Sequence, residues 1–167
     1  SLDYYKHSLL ISEEIGDIEG EQKCLHNIGM IYWERGYYDK SLIYFTKSYK
    51  IREKIGFLSN AIGISMLGYI HAAKGEYDKA LHYSTRSLKI IEKSTDKRWM
   101  GHILGDLGIL YYYKGDYKKS IEYLEKSLAH HKERGLNSVI YPTTYLYLAY
   151  KNLGKKYDKK IIYALFK

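Results

Sequence analysis

Apolar residues at Tyr38, Leu42, Phe45, Tyr49 and Ile55 recur at close to helical spacing, while Lys40, Lys47, Lys50, Arg52 and Lys54 fill much of the opposite side. One apolar stripe and one charged face are what a helix needs to settle against a core. The preceding stretch, Glu21 to Arg35, carries Leu25, Ile28, Ile31 and Tyr32 and predicts a second helix. Gly36 stops the earlier helix and Gly56 the later one, as glycine does just past a helix C-terminus. The two stretches read as a helical hairpin.

The hairpin is written more than once. GYYDKSLIYF at 36–45 returns as GEYDKALHYS at 75–84 and GDYKKSIEYL at 115–124, and more loosely as GKKYDKKIIYA at 154–164. Tyr38, Tyr77, Tyr117 and Tyr157 stand 39, 40 and 40 residues apart, and Tyr44, Tyr83, Tyr123 and Tyr163 follow six later. Small residues keep the same period: Ser41, Ala80 and Ser120, then Ser48, Ser87 and Ser127. Gly29, Gly68 and Gly108 recur in mid-helix, where glycine costs about 1 kcal/mol against alanine. That cost is tolerable where a neighbouring helix must come close.

The opening SLDYYKHSLLISEEIG aligns with SLIYFTKSYKIREKIG at 41–56, so the chain is expected to begin on the second helix of a repeat, as a piece of a longer protein. The predicted organisation is one repeat domain over 1–167. It comprises a lone second helix at 1–16, repeats at 21–56, 60–95 and 99–135, and a degenerate or truncated copy at 139–167. Pro142 sits where a helix would begin, a position that tolerates it. A two-helix unit cannot bury its apolar face alone, so such units stack into a superhelix.

The segment IGMIYWERGYYDKSLIYFTKS, 28–48, resembles a tetratricopeptide repeat. It carries the aliphatic–glycine pair Ile28-Gly29, the aromatic Tyr32, the turn Gly36-x-Tyr38, and then Ser41, Phe45 and Ser48 at the family's spacings. LGYIHAAKGEYDKALHYSTRS and LGILYYYKGDYKKSIEYLEKS repeat the pattern, with His71 and Ser84 as departures. The period of about 40 is similar to the long-repeat variety of Pins-type scaffolds, kinesin light chains and MalT-like regulators. The resemblance implies an all-α, right-handed superhelical solenoid of antiparallel helix pairs.

Composition adds constraints rather than a function. There are 21 tyrosines against three phenylalanines and two tryptophans. A tyrosine hydroxyl must find water or a partner, so most ring tips are expected within reach of solvent. Cys24 is alone, which excludes an intrachain disulfide and makes a reducing compartment, the cytoplasm, the default. No apolar run approaches the roughly 20 residues that span a bilayer, and the opening SLDYYKH does not read as a signal peptide. The net charge of +8 falls mostly on second helices, where Lys47, Lys50, Arg86, Lys89 and Lys126 interleave with Glu53, Glu92 and Glu125. That pattern reads as a solvated face ahead of an acidic partner, and nucleic acid is not expected.

Catalytic chemistry does not emerge, and neither a cofactor nor a metal is expected. The seven histidines lack metal-ligand spacing. His130-His131 reads as solvated surface, Cys24 as a small core residue, and GHILGDLG at 101–108 as close helix packing rather than a phosphate loop.

The resemblance implies a concave surface lined by first helices, and maps it onto His26, Met30 and Trp33, then Ser65 and Tyr69. It continues with His102, Ile109 and Tyr112, and ends with Tyr145, Leu148 and Lys151, while Gly105 is expected to leave room for a ligand backbone. The same rings are equally suited to packing between repeats. The carboxylate-clamp positions of chaperone adaptors hold His26, Met30, Met66, His102 and Asp106, so chaperone C-terminal tails are not expected as ligands. Asparagine after the aliphatic–glycine pair is missing too, replaced by Met30, Tyr69 and Ile109. The expected function is a non-enzymatic module that binds an acidic or apolar peptide or protein segment. The alternatives are a sensory or regulatory segment of a larger signalling or transcription-regulating protein, and self-association through a stripe of Leu2, Tyr5 and Leu9 on the lone first helix.

Overall fold

A computed structural model describes residues 1–54, 61–135 and 140–154. Its elements are α1 (Leu2–Ile15), α2 (Ile18–Glu34), α3 (Tyr38–Lys54), α4 (Ala61–Ala73), α5 (Tyr77–Lys93), α6 (Met100–Tyr113), α7 (Tyr117–Glu133) and α8 (Ile140–Asn152). No strand occurs among the described residues. Gly56 and residues 155–164 of the fourth copy of the repeated phrase, Tyr157 and Tyr163 among them, lie outside them. The chain divides into two units, Ser1–Tyr83 and Ser84–Lys167.

The predicted turn has one geometry at each full copy. Gly36, Gly75 and Gly115 have φ of 75°, 76° and 78°, a left-handed conformation open to glycine and costly for a residue with a Cβ. The Gly36 amide donates to Trp33 O and the Tyr37 amide to Tyr32 O, both at 2.9 Å, so carbonyls at the helix end find donors. Helix α2 starts at Ile18 rather than Glu21, because Asp17 caps it: its Oδ1 accepts from the Gly20 amide at 2.9 Å.

The small residues act where the hairpins close. A Cβ on Gly29 would sit 3.0 Å from the Phe45 ring, and one on Gly108 only 2.5 Å from Leu124 Cγ. The second helices also bond to first-helix carbonyls: Ser41 Oγ donates to Gly29 O at 2.9 Å, Ser48 Oγ to Gln22 O at 3.2 Å and Ser127 Oγ to Gly101 O at 2.7 Å. In the first unit Phe45, Leu67 and Ile70 form a buried cluster joining α3 to α4, and in the second Leu124, Leu128 and Leu146 join α7 to α8. Cys24 is buried, and burial, then the nearby Asp17, pushes its thiol pKa up.

Each hairpin closes on a flat stack of rings. Tyr32 lies on Tyr44 at 5.5 Å, His71 on Tyr83 at 5.3 Å and Tyr111 on Tyr123 at 5.4 Å, with interplanar angles of 21°, 4° and 10°. The apparent departure at His71 therefore keeps the stack. Its Nδ1 also sits 2.6 Å from Glu76 Oε2. Among the described residues Tyr32 is the one tyrosine that is buried; the others keep part of their surface in solvent.

Two sequence expectations are corrected. His131 is buried and His130 half-buried, because Gly101 presents bare backbone to them. Gly105 is not open to a ligand: a Cβ there would meet Ser127 Oγ at 3.1 Å and Pro142 Cγ at 3.4 Å. On α1, Leu2, Tyr5 and Leu9 are half-buried, so that stripe is partly uncovered, and Tyr4, Leu10, Ile11 and Ile15 are exposed beside it.

Candidate functional site

The candidate residues fall in both units. In the first, α2 carries His26, Met30 and Trp33, all half-buried. Met30 and Trp33 pack on the Phe45–Leu67–Ile70 cluster, and the Trp33 ring lies 5.2 Å from that of Tyr38. His26 meets Phe45 edge to face at 5.1 Å, and burial, then the charge of Arg52, holds its pKa below the ordinary value. On α4, Ser65 is buried with its hydroxyl donating to Ile62 O at 2.9 Å, whereas Tyr69 is exposed. Trp33 and Met30 thus brace α2 against the next helices and still show an edge to solvent.

In the second unit the structure gathers rings. Tyr112 of α6 lies 5.8 Å from Tyr113, 5.5 Å from Tyr117 and 5.3 Å from Tyr145 of α8. The Tyr113 and Tyr145 hydroxyls share a hydrogen bond of 2.5 Å, and Asn152 Nδ2 donates to the Tyr112 hydroxyl at 3.5 Å. The rings are half-buried apart from the exposed Tyr113. Ile109 and Tyr145 rest on the Leu124–Leu128–Leu146 cluster, Leu148 is half-buried and Lys151 exposed. His102 stands apart from this cluster, beside Trp99 at 5.4 Å and His131 at 4.8 Å. Sequence reasoning did not place Tyr117 or Asn152 at the site. The signal for Tyr117 was its place in the repeated turn, where it serves the fold and the ring cluster together.

Such an arrangement can bury apolar side chains and accept hydrogen bonds at its rim. Among the described residues no group of three or more His, Cys, Asp or Glu side chains is placed to hold a metal ion. No helix of the described residues is long and apolar enough to cross a membrane.

Paired helices, glycine turns and ring-lined first helices define a helical-hairpin repeat protein of the TPR-like solenoid class. Comparison with known proteins makes this specific: models of the tetratricopeptide repeat match residues 22–55 and 61–133, together more than half of the chain. The chain belongs to the tetratricopeptide-repeat family. No curated protein matches it.

Solved structures share the fold. BtubC (BKLC) from P. vanneervenii is 19% identical with a TM-score of 0.79 over 90% of this chain, which spans 64% of that one, less than two thirds. A putative kinesin light chain from Podosopora anserina, with nearly identical TPR-like repeats, is 15% identical with a TM-score of 0.73 over 98% of this chain and 81% of that one. The Sgt2 TPR domain from Aspergillus fumigatus is 19% identical with a TM-score of 0.65 over 80% of each chain. Tetratricopeptide repeats are generally protein–protein interaction modules and non-catalytic scaffolds.

Proposed function

We propose that the chain binds peptide or protein segments on the ring-bearing faces of its first helices. The observation that carries this reading is the cluster of Tyr112, Tyr113, Tyr117 and Tyr145, four rings in mutual contact, three of them with hydrogen-bonded hydroxyls, that leave part of their surface to solvent. Large amphipathic rings on a rigid support are what binding hot spots use. An apolar partner side chain would rest on these rings, with Leu148 beside them and Lys151 supplying a charge for an acidic residue. In the first unit Met30, Trp33 and Tyr69 would serve similarly, with His26 as the polar contact. The buried thiol of Cys24 fits a reducing compartment, the cytoplasm.

A displayed peptide library selected on the chain tests this. Selected peptides are expected to lose roughly thirtyfold in affinity with Tyr112→Ala, as for a hot spot of about 2 kcal/mol, at unchanged helicity by circular dichroism. Peptides that bind this variant and Trp33→Ala as tightly as the parent would place recognition elsewhere. The exposed Tyr4, Leu10, Ile11 and Ile15 of α1 favour a second reading, self-association through that helix.

A further inference from the structure

A second cluster in the same unit serves neither the hairpin stack nor the tyrosine surface. His102 stands in the first turn of α6, and His130 and His131 in the last turn of α7. The rings of His102 and His131 meet edge to face at 4.8 Å, and those of His130 and His131 at 6.5 Å. His131 is 3% exposed. Nδ1 of His130 and Nδ1 of His131 are buried without a hydrogen-bond partner among the described residues. Gly101 is what admits them, since a Cβ there would lie 2.9 Å from His131 Nε2 and 3.1 Å from His130 Nδ1.

The charged groups around the cluster are unfavourable to an imidazolium. From α7 comes His130, and from the residue just past its end Arg134, whose guanidinium donates to the Arg98 carbonyl. From the turn before α6 come Asp96, Lys97 and Arg98. Asp96 is closed on Arg98 with oxygens 2.8–3.0 Å from its guanidinium, and Lys97 Nζ is spent on the Ile91 carbonyl at 2.9 Å. On α6, Asp106 lies one turn beyond His102. On α5, Glu92 acts on Tyr123 and Lys126 instead. Helix α8 carries no carboxylate. Every charge acting on His131 is thus positive or becomes so on protonation.

We propose that His131, packed against His102 and His130, forms an acid-released latch between α6 and α7, in which its protonation parts the last turn of α7 from the first turn of α6. Neutral rings pack edge to face and leave only a lone pair bare at Nδ1. Protonated rings carry N–H on both nitrogens, and a buried donor without an acceptor is strongly disfavoured, the more so with a second charge beside it.

Burial first, then the neighbouring His102, His130 and Arg134, holds the His131 pKa below its ordinary 6.5; burial, Arg134 and His130 do the same for His102. The opened form therefore takes up its proton before the closed form. Closure is complete above about pH 6.5 and is lost as pH falls below it, until the closed-state values are passed.

Amide hydrogen exchange of the full chain, corrected for the chemical rate, tests the latch between pH 7.5 and 5.5. Protection across residues 128–134 is expected to fall below pH 6.5 by about tenfold per pH unit for each proton taken up. In His131→Phe that slope is expected to diminish by one proton. Protection that is independent of pH, or an unchanged slope in His131→Phe, overturns the proposal. If that variant does not fold, the imidazole resonances of the parent chain decide: His131 titrating below 6.5 supports the latch, and titration at or above 6.5 overturns it.

Discussion

Ser41 and Ser120 hold the same place in their hairpins, yet only one hydroxyl has work to do. Ser41 Oγ donates to Gly29 O, whereas Ser120 Oγ is buried with no partner among the described residues. At the intervening copy Ala80 stands there, fully buried. Ser41→Ala is expected to cost about 1 kcal/mol, while Ser120→Ala is expected to be neutral or stabilising, because it removes an unsatisfied buried group. Urea midpoints of the two variants compared with the parent check this. The paired glycines differ in the same graded way. At Gly108 an added Cβ meets Leu124 Cγ at 2.5 Å and the Leu124 backbone nitrogen at 3.1 Å, so a change of rotamer alone does not clear it. Gly108→Ala is expected to cost about 1–3 kcal/mol despite alanine's better helix propensity. Gly29→Ala, which needs a shift of the Phe45 ring by a few tenths of an ångström, is expected to cost less, as the same titrations would show.

At the scale of the element, the hairpins were legible because their determinants lie close together in sequence. The Gly–x–Tyr turn, the small residue three beyond that Tyr and the stripe of alternating turns all fall within one copy. What escaped sequence reasoning depends on distant residues. His130 and His131 look exposed on their own helix, and only the bare face of Gly101, some thirty residues earlier, takes them inside. Gly105 looked like an opening until Pro142 and Ser127 filled it. The join between consecutive helix pairs is also electrostatic in the first unit, where Lys74 reaches Asp39 at 2.5 Å and Glu76 at 3.5 Å. Hydrogen bonds from His71 and Lys79, then the charges of Lys74 and Lys79, pull the Glu76 pKa from 4.5 down to about 2. The folded chain then holds a carboxylate where the unfolded chain would be protonated. That contribution is present above pH 4.5 and lost as pH falls toward 2, and Glu76→Gln is expected to flatten this acid limb of an unfolding-midpoint titration.

For the whole molecule, the sequence disclosed which rings stand on first helices but not which of them are pinned. Met30 and Trp33 are braced against Phe45, Leu67 and Ile70, while the tyrosines around Tyr112 lean on one another. Periodicity assigns a residue to a helix face; it does not say which neighbour shares that face. The same gap hid a more open stripe on α1, that of Tyr4, Leu10, Ile11 and Ile15, beside the partly uncovered Leu2, Tyr5 and Leu9. If that stripe mediates self-association, Ile11→Lys combined with Ile15→Lys is expected to lower the weight-average mass in sedimentation at high concentration and leave helicity unchanged. A parent chain that is monomeric throughout would remove the idea.

The three glycine turns agree to within a few degrees, and each supplies its own hydrogen bonds from residues beside it. A loop so self-sufficient is a natural splice point. Unequal exchange between two copies in the gene, joined in frame at Gly36 and Gly75 or at Gly75 and Gly115, would lengthen or shorten the protein by one hairpin without leaving a scar in the backbone. Such a chain can vary in length across generations far more readily than in the wording of any single copy.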